Sequence, residues 1–462
     1  MSGSDIHTTF YNINAAELVT YITKRIKLRI PWNILASLLA YFLFSEIYVK
    51  LVVPTFNYGE MIHDPRNNEI FELILIVITS ILLPNKIKTP SGLYNWLYFC
   101  ILLIPSAVLS VEQSSDRFHL FLMFAALWIL IFISRLFAEL INQPGVEYSM
   151  NYKRLPYYSV LVFVMAVLIF LAASVRGAFN LNFDLVYDFR ADISENLPLI
   201  LSYAMHIASG TFVGYLAAMA FHRRDVKVLL LIGVIGILFF GYSSQKSMLF
   251  NPFLAMTGYL LFKLSRPHLY ILGGLSTLAI VALLLTDGQF YLLTSLFVNR
   301  IIFLPSQINF FYFDFFSNHS FMLWAESKIS LGLVGSELPM SVMNYMSGLL
   351  TGDYGSAANT GWVANAYMNA GMIGIVVYAA VIGGIFSLID LWAKCFGKEF
   401  VGAAFLIPVN AMIMSADLLI VLLTGGLIFL MMIFSAGSIR IEMRKHDGIR
   451  KEHNRAGTVC AE

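Results

Sequence analysis

Long apolar runs, most of them close to the length that crosses a bilayer, alternate with short polar breaks along almost the whole chain. They cover residues 31–53, 70–83, 93–111, 118–133, 157–175, 197–221, 228–242, 248–262, 271–285, 362–389, 401–414 and 418–434. A helix needs about 20 apolar residues to span the hydrocarbon core. The pattern therefore predicts an all-α, polytopic membrane protein of about twelve transmembrane helices. The second, seventh and eighth runs are short for a straight span. The last two of these flank a polar break, Ser243-Ser244-Gln245-Lys246-Ser247, with Asn251-Pro252 just beyond. Broken backbone at membrane depth survives only where it lines protein or water. No internal repeat of the kind that marks two similar transporter halves is visible.

Composition removes the alternative of a soluble fold. The 462 residues are 58% hydrophobic and 13% charged, and the mean hydropathy is +0.75. Such segments cannot form the surface of a soluble domain, so lipid must be the solvent. The net charge of +2 says little, because orientation follows where Lys and Arg fall. If the N-terminus is cytoplasmic, 22 of the 30 basic residues lie inside, including Lys24, Arg29, Lys86, Arg135, Arg223, Arg224, Lys263, Arg266, Lys394 and six in the tail from Arg440 to Arg455. This layout predicts a cytoplasmic segment 1–30, a single transmembrane domain 31–434 and a basic cytoplasmic tail 435–462. Within the domain, 287–361 forms a long external connection between spans nine and ten. Three cysteines, Cys100, Cys395 and Cys460, show no disulfide framework or metal spacing. The first span is read as directing insertion, without a removable signal peptide.

The external basic residues are the informative minority: Lys50, Arg66, Arg117, Arg176, Arg190, Lys246, Arg300 and Lys328. Lys50 can pair with Glu46 one turn earlier. Arg66 and Arg117 sit beside Asp64 and Asp116 and read as solvated loop pairs. Arg176, Lys246 and Arg300 fall at span ends or in the aromatic segment. Two guanidinium groups and an ammonium there suit a diphosphate, although snorkelling to head groups would place them similarly. Tyr187, Asp188 and Arg190 lie in an external stretch, 183–192, whose aromatics and carboxylates suit sugar rings and hydroxyls, as they would a small solvated loop.

The long connection is crowded with aromatics, Phe310, Phe311, Tyr312, Phe313, Phe315 and Phe316, which suggest a piece lying in the membrane interface. Asp314, His319, Glu326, Lys328, Glu337 and Asp353 supply general bases and hydrogen-bond partners. Of these, His319 is the sharpest candidate, because histidine is the residue type best suited to proton transfer at physiological pH. Asn359, Asn365 and Asn369 recur around the start of the tenth span and either bind saccharide hydroxyls or cap backbone. Gly371 and Gly374 suit close helix packing, and His206 suits a helix-to-helix hydrogen bond.

Three stretches carry a resemblance. Val186-Tyr187-Asp188-Phe189-Arg190, the break Ser244-Gln245-Lys246-Ser247, and a longer third are similar to segments of the Wzy-type polymerases of lipid-linked oligosaccharide repeat units. The third comprises Arg300 to Pro305, Phe311 to Phe316, Ala358-Asn359-Thr360-Gly361 and Asn365 to Gly374. The resemblance implies a metal-independent glycosyltransferase of the multi-span (GT-C-like) architecture, without a cofactor or nucleic-acid partner, in the bacterial cytoplasmic (inner) membrane. It would transfer the growing chain from undecaprenyl pyrophosphate onto a fresh lipid-linked repeat at the outer, periplasmic face, building O-antigen or a related polysaccharide. Membrane lipids and a separate chain-length regulator are the partners it implies.

A pyrophosphate leaving the anomeric carbon carries off negative charge, so cations fixed in advance lower the barrier. Arg300, Lys246 and Arg176, with Arg190, are assigned to it, and His319, Glu337 or Asp353 to the acceptor hydroxyl. An O-antigen ligase shares these needs, and a lipid-linked oligosaccharide flippase shares the span count.

Overall fold

The computed structural model describes residues 31–56, 61–141, 155–182, 197–285, 294–327 and 330–437. It also describes a few positions between 185 and 193 and the backbone of 147–150 and 438–441. In chain order the helices are α1 (Trp32–Thr55), α2 (Ile70–Leu82), α3 (Pro90–Glu112), α4 (Arg117–Ile141), α5 (Tyr157–Ser174), α6 (Leu199–Arg223), α7 (Val226–Ser243), α8 (Lys246–Lys263) and α9 (Pro267–Leu284). A wide-turned stretch, Thr294–Phe303, then runs into α10 (Leu304–Ser317). After it come α11 (Val342–Thr351), α12 (Trp362–Phe396), α13 (Lys398–Met414), α14 (Leu418–Leu422) and α15 (Leu427–Gly437).

Eight of these, α1, α3, α4, α5, α6, α7, α9 and α12, are long and apolar enough to cross a membrane. The protein is a multi-pass, helical membrane protein. Its outward faces carry bare apolar side chains, with Ile200 83%, Tyr158 70% and Phe132 68% exposed, an arrangement that suits lipid and not water. The other expected spans are helical but differ in kind. α2 and α15 are short apolar helices; α8 carries Lys246, Asn251, Pro252 and Lys263; and the last run is divided between α14 and α15.

Because successive helices alternate in direction, the bundle has two unlike ends. One, the basic end, carries Lys86, Lys88, Arg223, Arg224, Lys263, Arg266, Lys394 and Lys398; the other, the loop end, carries the long connection. A two-stranded antiparallel ribbon pairs Glu147–Met150 with Ser438–Ile441, tying the α4–α5 connection to the segment after α15.

α3 is apolar on every side and is buried along its whole length, as expected of a helix that packs protein all round. Its first turn is capped by another helix. Ser91 donates from its backbone N (3.0 Å) and from its Oγ (2.5 Å) to the Asp390 carboxylate of α12. Proline explains three local widenings. The π-turns Tyr48–Val52, Phe99–Leu103 and Thr294–Phe303 each end two residues before a proline, Pro54, Pro105 and Pro305. A proline removes one N–H and clashes with the preceding turn, and the widened turn absorbs both effects.

α12 departs most from the single straight tenth span expected from the sequence. At Ala370 (φ −153°, ψ 28°) and Gly371 (φ 58°, ψ −141°) the helix breaks. Its first part, up to Asn369, folds back so far that a Cβ on Gly374 would lie 2.0 Å from the Ala366 carbonyl oxygen. The hydropathy of the run hides this reversal, since both arms are apolar. What permits it is glycine in two roles: Gly371 adopts a conformation essentially closed to other residues, and Gly374 accepts a backbone against its Cα. The second arm packs closely on α4, with Ser387 Oγ donating to Ser134 O at 2.8 Å.

The aromatic segment also differs from an interfacial strip. Most of α10 is buried, from Pro305 to Phe310 and again at Tyr312, Phe313 and Phe316, and it packs against α3, α4 and α12. Its aromatics fill the bundle.

Candidate functional site

The loop end of α1 to α4 holds a polar network on buried carboxylates. Glu72, fully buried on α2, receives Arg117 Nε at 2.8 Å on Oε1 and Nη2 at 3.0 Å on Oε2, with Ser110 Oγ at 3.0 Å. This is the fork geometry in which guanidinium binds carboxylate most strongly. Arg117 is thus not a solvated partner of Asp116, which instead accepts from Phe118 N at 2.6 Å. Glu112, 7% exposed, accepts from Ser45 Oγ at 2.5 Å, and His63 Nδ1 lies 3.2 Å from its Oε2. Arg66 donates to the carbonyls of Ser114 (2.8 Å) and Ser115 (2.9 Å) in place of Asp64. Lys50 and Glu46 pair one turn apart at 2.6 Å, exposed as expected.

Two residues beyond Arg117, the network meets α10. His119 Nδ1 lies 2.8 Å from Asp314 Oδ1, with the imidazole 6% and the carboxylate 56% exposed. Phe313 stacks on Tyr367 of the folded-back arm (4.3 Å, 27°), and both rings neighbour His119. A solvent-facing carboxylate thus lies close to a buried imidazole beside an aromatic wall, although His119 Nδ1 makes no hydrogen bond among the described residues.

The long connection then crosses the α12 hairpin. Met322 N and Leu323 N donate to the carbonyls of Met368 (2.9 Å) and Asn369 (3.0 Å). Trp324 N donates to Asn369 Oδ1 at 2.8 Å, and its indole donates to Tyr378 OH at 2.9 Å. Tyr378 in turn donates to Asp417 Oδ1 at 2.9 Å. Leu323 and Trp324 both hold positive φ, 45° and 59°, so this crossing stores backbone strain. Further along, Glu326 accepts from Val342 N at 2.6 Å at the start of α11. Partial burial raises its carboxyl pKa above the ordinary value, and the Val342 hydrogen bond opposes that rise.

The residues singled out from sequence are distributed among these features. His319 is exposed, its ring stacked on Phe315 at 3.9 Å and its Nδ1 2.8 Å from Phe315 O. Glu337 is exposed in irregular chain. Asp353, also exposed, accepts from Gly355 N at 2.8 Å in a local turn. Asn359 is exposed, whereas Asn365 and Asn369 are buried. Asn365 Nδ2 donates to Thr360 O (2.8 Å) and Gly361 O (3.0 Å), and Asn369 Nδ2 donates to Asn365 O (2.8 Å).

The cations gather only in part. Lys246 opens α8 after a two-residue break at Ser244 and Gln245. The chain just past Arg176 lies on that break: Asn180 N donates to Gly241 O at 2.8 Å, and Phe179 packs on Tyr242. Arg176 itself is exposed with φ 52°. Arg190, exposed, is close enough to His206 on α6 to act on it electrostatically. Arg300, also exposed, projects from the stretch that packs on α9 and α3. It precedes Asp314 by fourteen residues, a rise of about 20 Å along a helix. Tyr187, Asp188 and Lys328 lie outside the described residues.

Glu72, Glu112 and His119 escaped the reading by apolar runs, although the signal was present. A carboxylate in the first turn of a span, as at Glu72, or at its very end, as at Glu112, or a histidine two residues into one, is costly unless paired, and so marks a site. Comparison with protein-family models, with curated proteins and with solved structures finds no match.

Proposed function

We propose that the protein polymerises lipid-linked oligosaccharide repeat units at the loop end, which would face the periplasm across the bacterial inner membrane. The observation that carries this reading is the Asp314 carboxylate, exposed to solvent and 2.8 Å from the buried His119 imidazole, beside the stacked Phe313 and Tyr367 rings. Asp314 would accept the proton of the acceptor hydroxyl. That oxygen forms the new bond to the anomeric carbon as the bond from carbon to pyrophosphate oxygen breaks. Undecaprenyl pyrophosphate leaves with the electron pair. His119 sets an imidazole beside the carboxylate, while Lys246, Arg176, Arg190 and Arg300 are the cations assigned to the diphosphate. Their spread suits a long substrate engaged at several points along its length. His319, Glu337 and Asp353 remain candidate bases on the exposed cover.

Asp314→Asn is expected to lower chain elongation by about a hundredfold or more while the protein still inserts in the membrane. Arg300→Ala and Lys246→Ala are expected to abolish elongation. Full-length polymer in all three variants would sink the reading. Deletion of the gene should leave lipid A core capped with a single repeat.

The hairpin in α12 and the break at Leu423–Gly426, where Gly425 O accepts from Thr211, favour a second reading, a lipid-linked oligosaccharide transporter. Discontinuous helices commonly form transport sites. In that case, as for a ligase, the deletion strain would lack the cap altogether.

A further inference from the structure

The long connection crosses the α12 hairpin as a short strap, residues 321–325, and the two sides of that crossing are unequal. The first arm of α12 ends at the break at Ala370 and Gly371, so its last carbonyls lack partners within the helix. The strap supplies them: Met322 N and Leu323 N donate to Met368 O and Asn369 O at 2.9 and 3.0 Å. Trp324 N reaches the Asn369 side chain at 2.8 Å, and the Trp324 indole reaches Tyr378 OH on the second arm at 2.9 Å. Phe321 lies over the break itself. Its ring meets Tyr367 edge to face (5.9 Å, 85°) and fills space that a Cβ on Gly371 would enter, 2.8 Å from Phe321 Cζ.

The hairpin side is firmly anchored. Tyr378 donates to Asp417 Oδ1 at 2.9 Å, and the other carboxylate oxygen accepts from Leu419 N at 3.0 Å at the start of α14. Asn369 is fixed in turn by donating to Asn365 O at 2.8 Å. The strap side is strained. Leu323 and Trp324 hold φ 45° and 59° without being glycine, and Phe321 and Leu323 leave 42% and 52% of their surface exposed. On either side, the described residues 318–320 and 330–341 form neither α-helix nor strand. Two non-glycine residues at positive φ cost free energy of the same order as a few hydrogen bonds return. The shut strap is therefore close to balance with a released one.

We propose that the strap is a latch with two positions: shut, with Trp324 on Tyr378, and released, lifted off the hairpin with the strain at Leu323 and Trp324 relieved. Release withdraws Phe321 from Tyr367 and uncovers the end of the first arm. Because Tyr367 stacks on Phe313, the neighbour of Asp314 in the chain, the latch governs one wall of the candidate site. That use rests on the polymerase reading, in which the released strap admits the lipid-linked acceptor and the shut strap encloses it. The two positions themselves do not depend on it.

The test is hydrogen exchange of the full chain in nanodiscs, read by mass spectrometry. In the wild type the amides of residues 322–324 should exchange by local opening, faster than those of α4 and slower than an unprotected chain. Tyr378→Phe keeps the ring and removes the hydroxyl, so exchange of the strap should rise about tenfold while α4 is unchanged. Trp324→Phe removes the indole N–H at a half-buried ring and should raise strap exchange in the same direction. Strap protection unchanged in both variants would overturn the proposal. So would a rise in Trp324→Phe matched by an equal rise in α4, which would mark general loosening. Elongation is not the readout, so normal elongation in Asp314→Asn would remove the polymerase reading and leave the latch standing.

Discussion

Replacing Arg117 by alanine isolates the Glu72 carboxylate inside the bundle, and the consequence can be sized. Glu72 is fully buried and takes three hydrogen bonds, two from the guanidinium and one from Ser110. After the substitution only the Ser110 hydroxyl remains to face a full negative charge. Removing one partner of a buried pair costs about 3–5 kcal/mol, or about two to four powers of ten in the folding equilibrium. The Arg117 side chain is about one-third exposed, so water can reach part of the vacated space and the lower end of that range is expected. Glu72→Gln in the same chain removes the stranded charge and should recover most of the loss, because the amide still accepts from Ser110 Oγ. The assay is unfolding of the purified protein in mixed micelles by increasing SDS, followed for wild type, both single variants and the double variant. Since His119 follows Arg117 by two residues on α4, elongation should fall in Arg117→Ala and return partly in the double variant. An Arg117→Ala protein as stable as wild type, or a double variant no better than Arg117→Ala, would refute the reasoning.

Three more outcomes can be measured directly. Asp390→Ala removes both acceptors from the first turn of α3 and should cost about 1 kcal/mol in the same unfolding assay, with Asp390→Asn losing less. Gly371→Ala forces a side chain into φ 58°, ψ −141° and sets its methyl 2.8 Å from the Phe321 ring. A cost of about 1–3 kcal/mol and faster proteolysis of the long connection should follow. Glu326 has a raised carboxyl pKa, so the folded state holds its proton more tightly than the unfolded state does. Its contribution to stability is therefore complete below the unfolded carboxylate range and is lost as pH climbs through the raised value. Hydrogen exchange of residues 321–345, corrected for intrinsic rates, should show the cover loosening over that rise, and Glu326→Gln should flatten the dependence.

Sequence alone determined the solvent of this protein. Apolar runs of spanning length leave no choice but lipid, because a helix satisfies its own backbone and buries nothing polar in hydrocarbon. The same pattern located the polar break before Lys246 and the i, i+4 pairing of Lys50 with Glu46, since both depend on neighbours along the chain. What tertiary structure decided is where polar groups at the loop end found partners. Arg117 passed over adjacent Asp116 for Glu72, 45 residues away, because a buried carboxylate gains far more from a guanidinium than a solvated one does. The reversal within α12 was likewise invisible to hydropathy, which scores both arms alike. Asn365 and Asn369 could be seen as polar residues sharing a helix face. Only the folded chain shows that Asn369 is the post to which the crossing segment at Leu323 and Trp324 is hydrogen-bonded. Nor does any local pattern bring His119 and Asp314 together: they lie 195 residues apart in sequence, and it is the packing of α10 against α4 that sets one against the other.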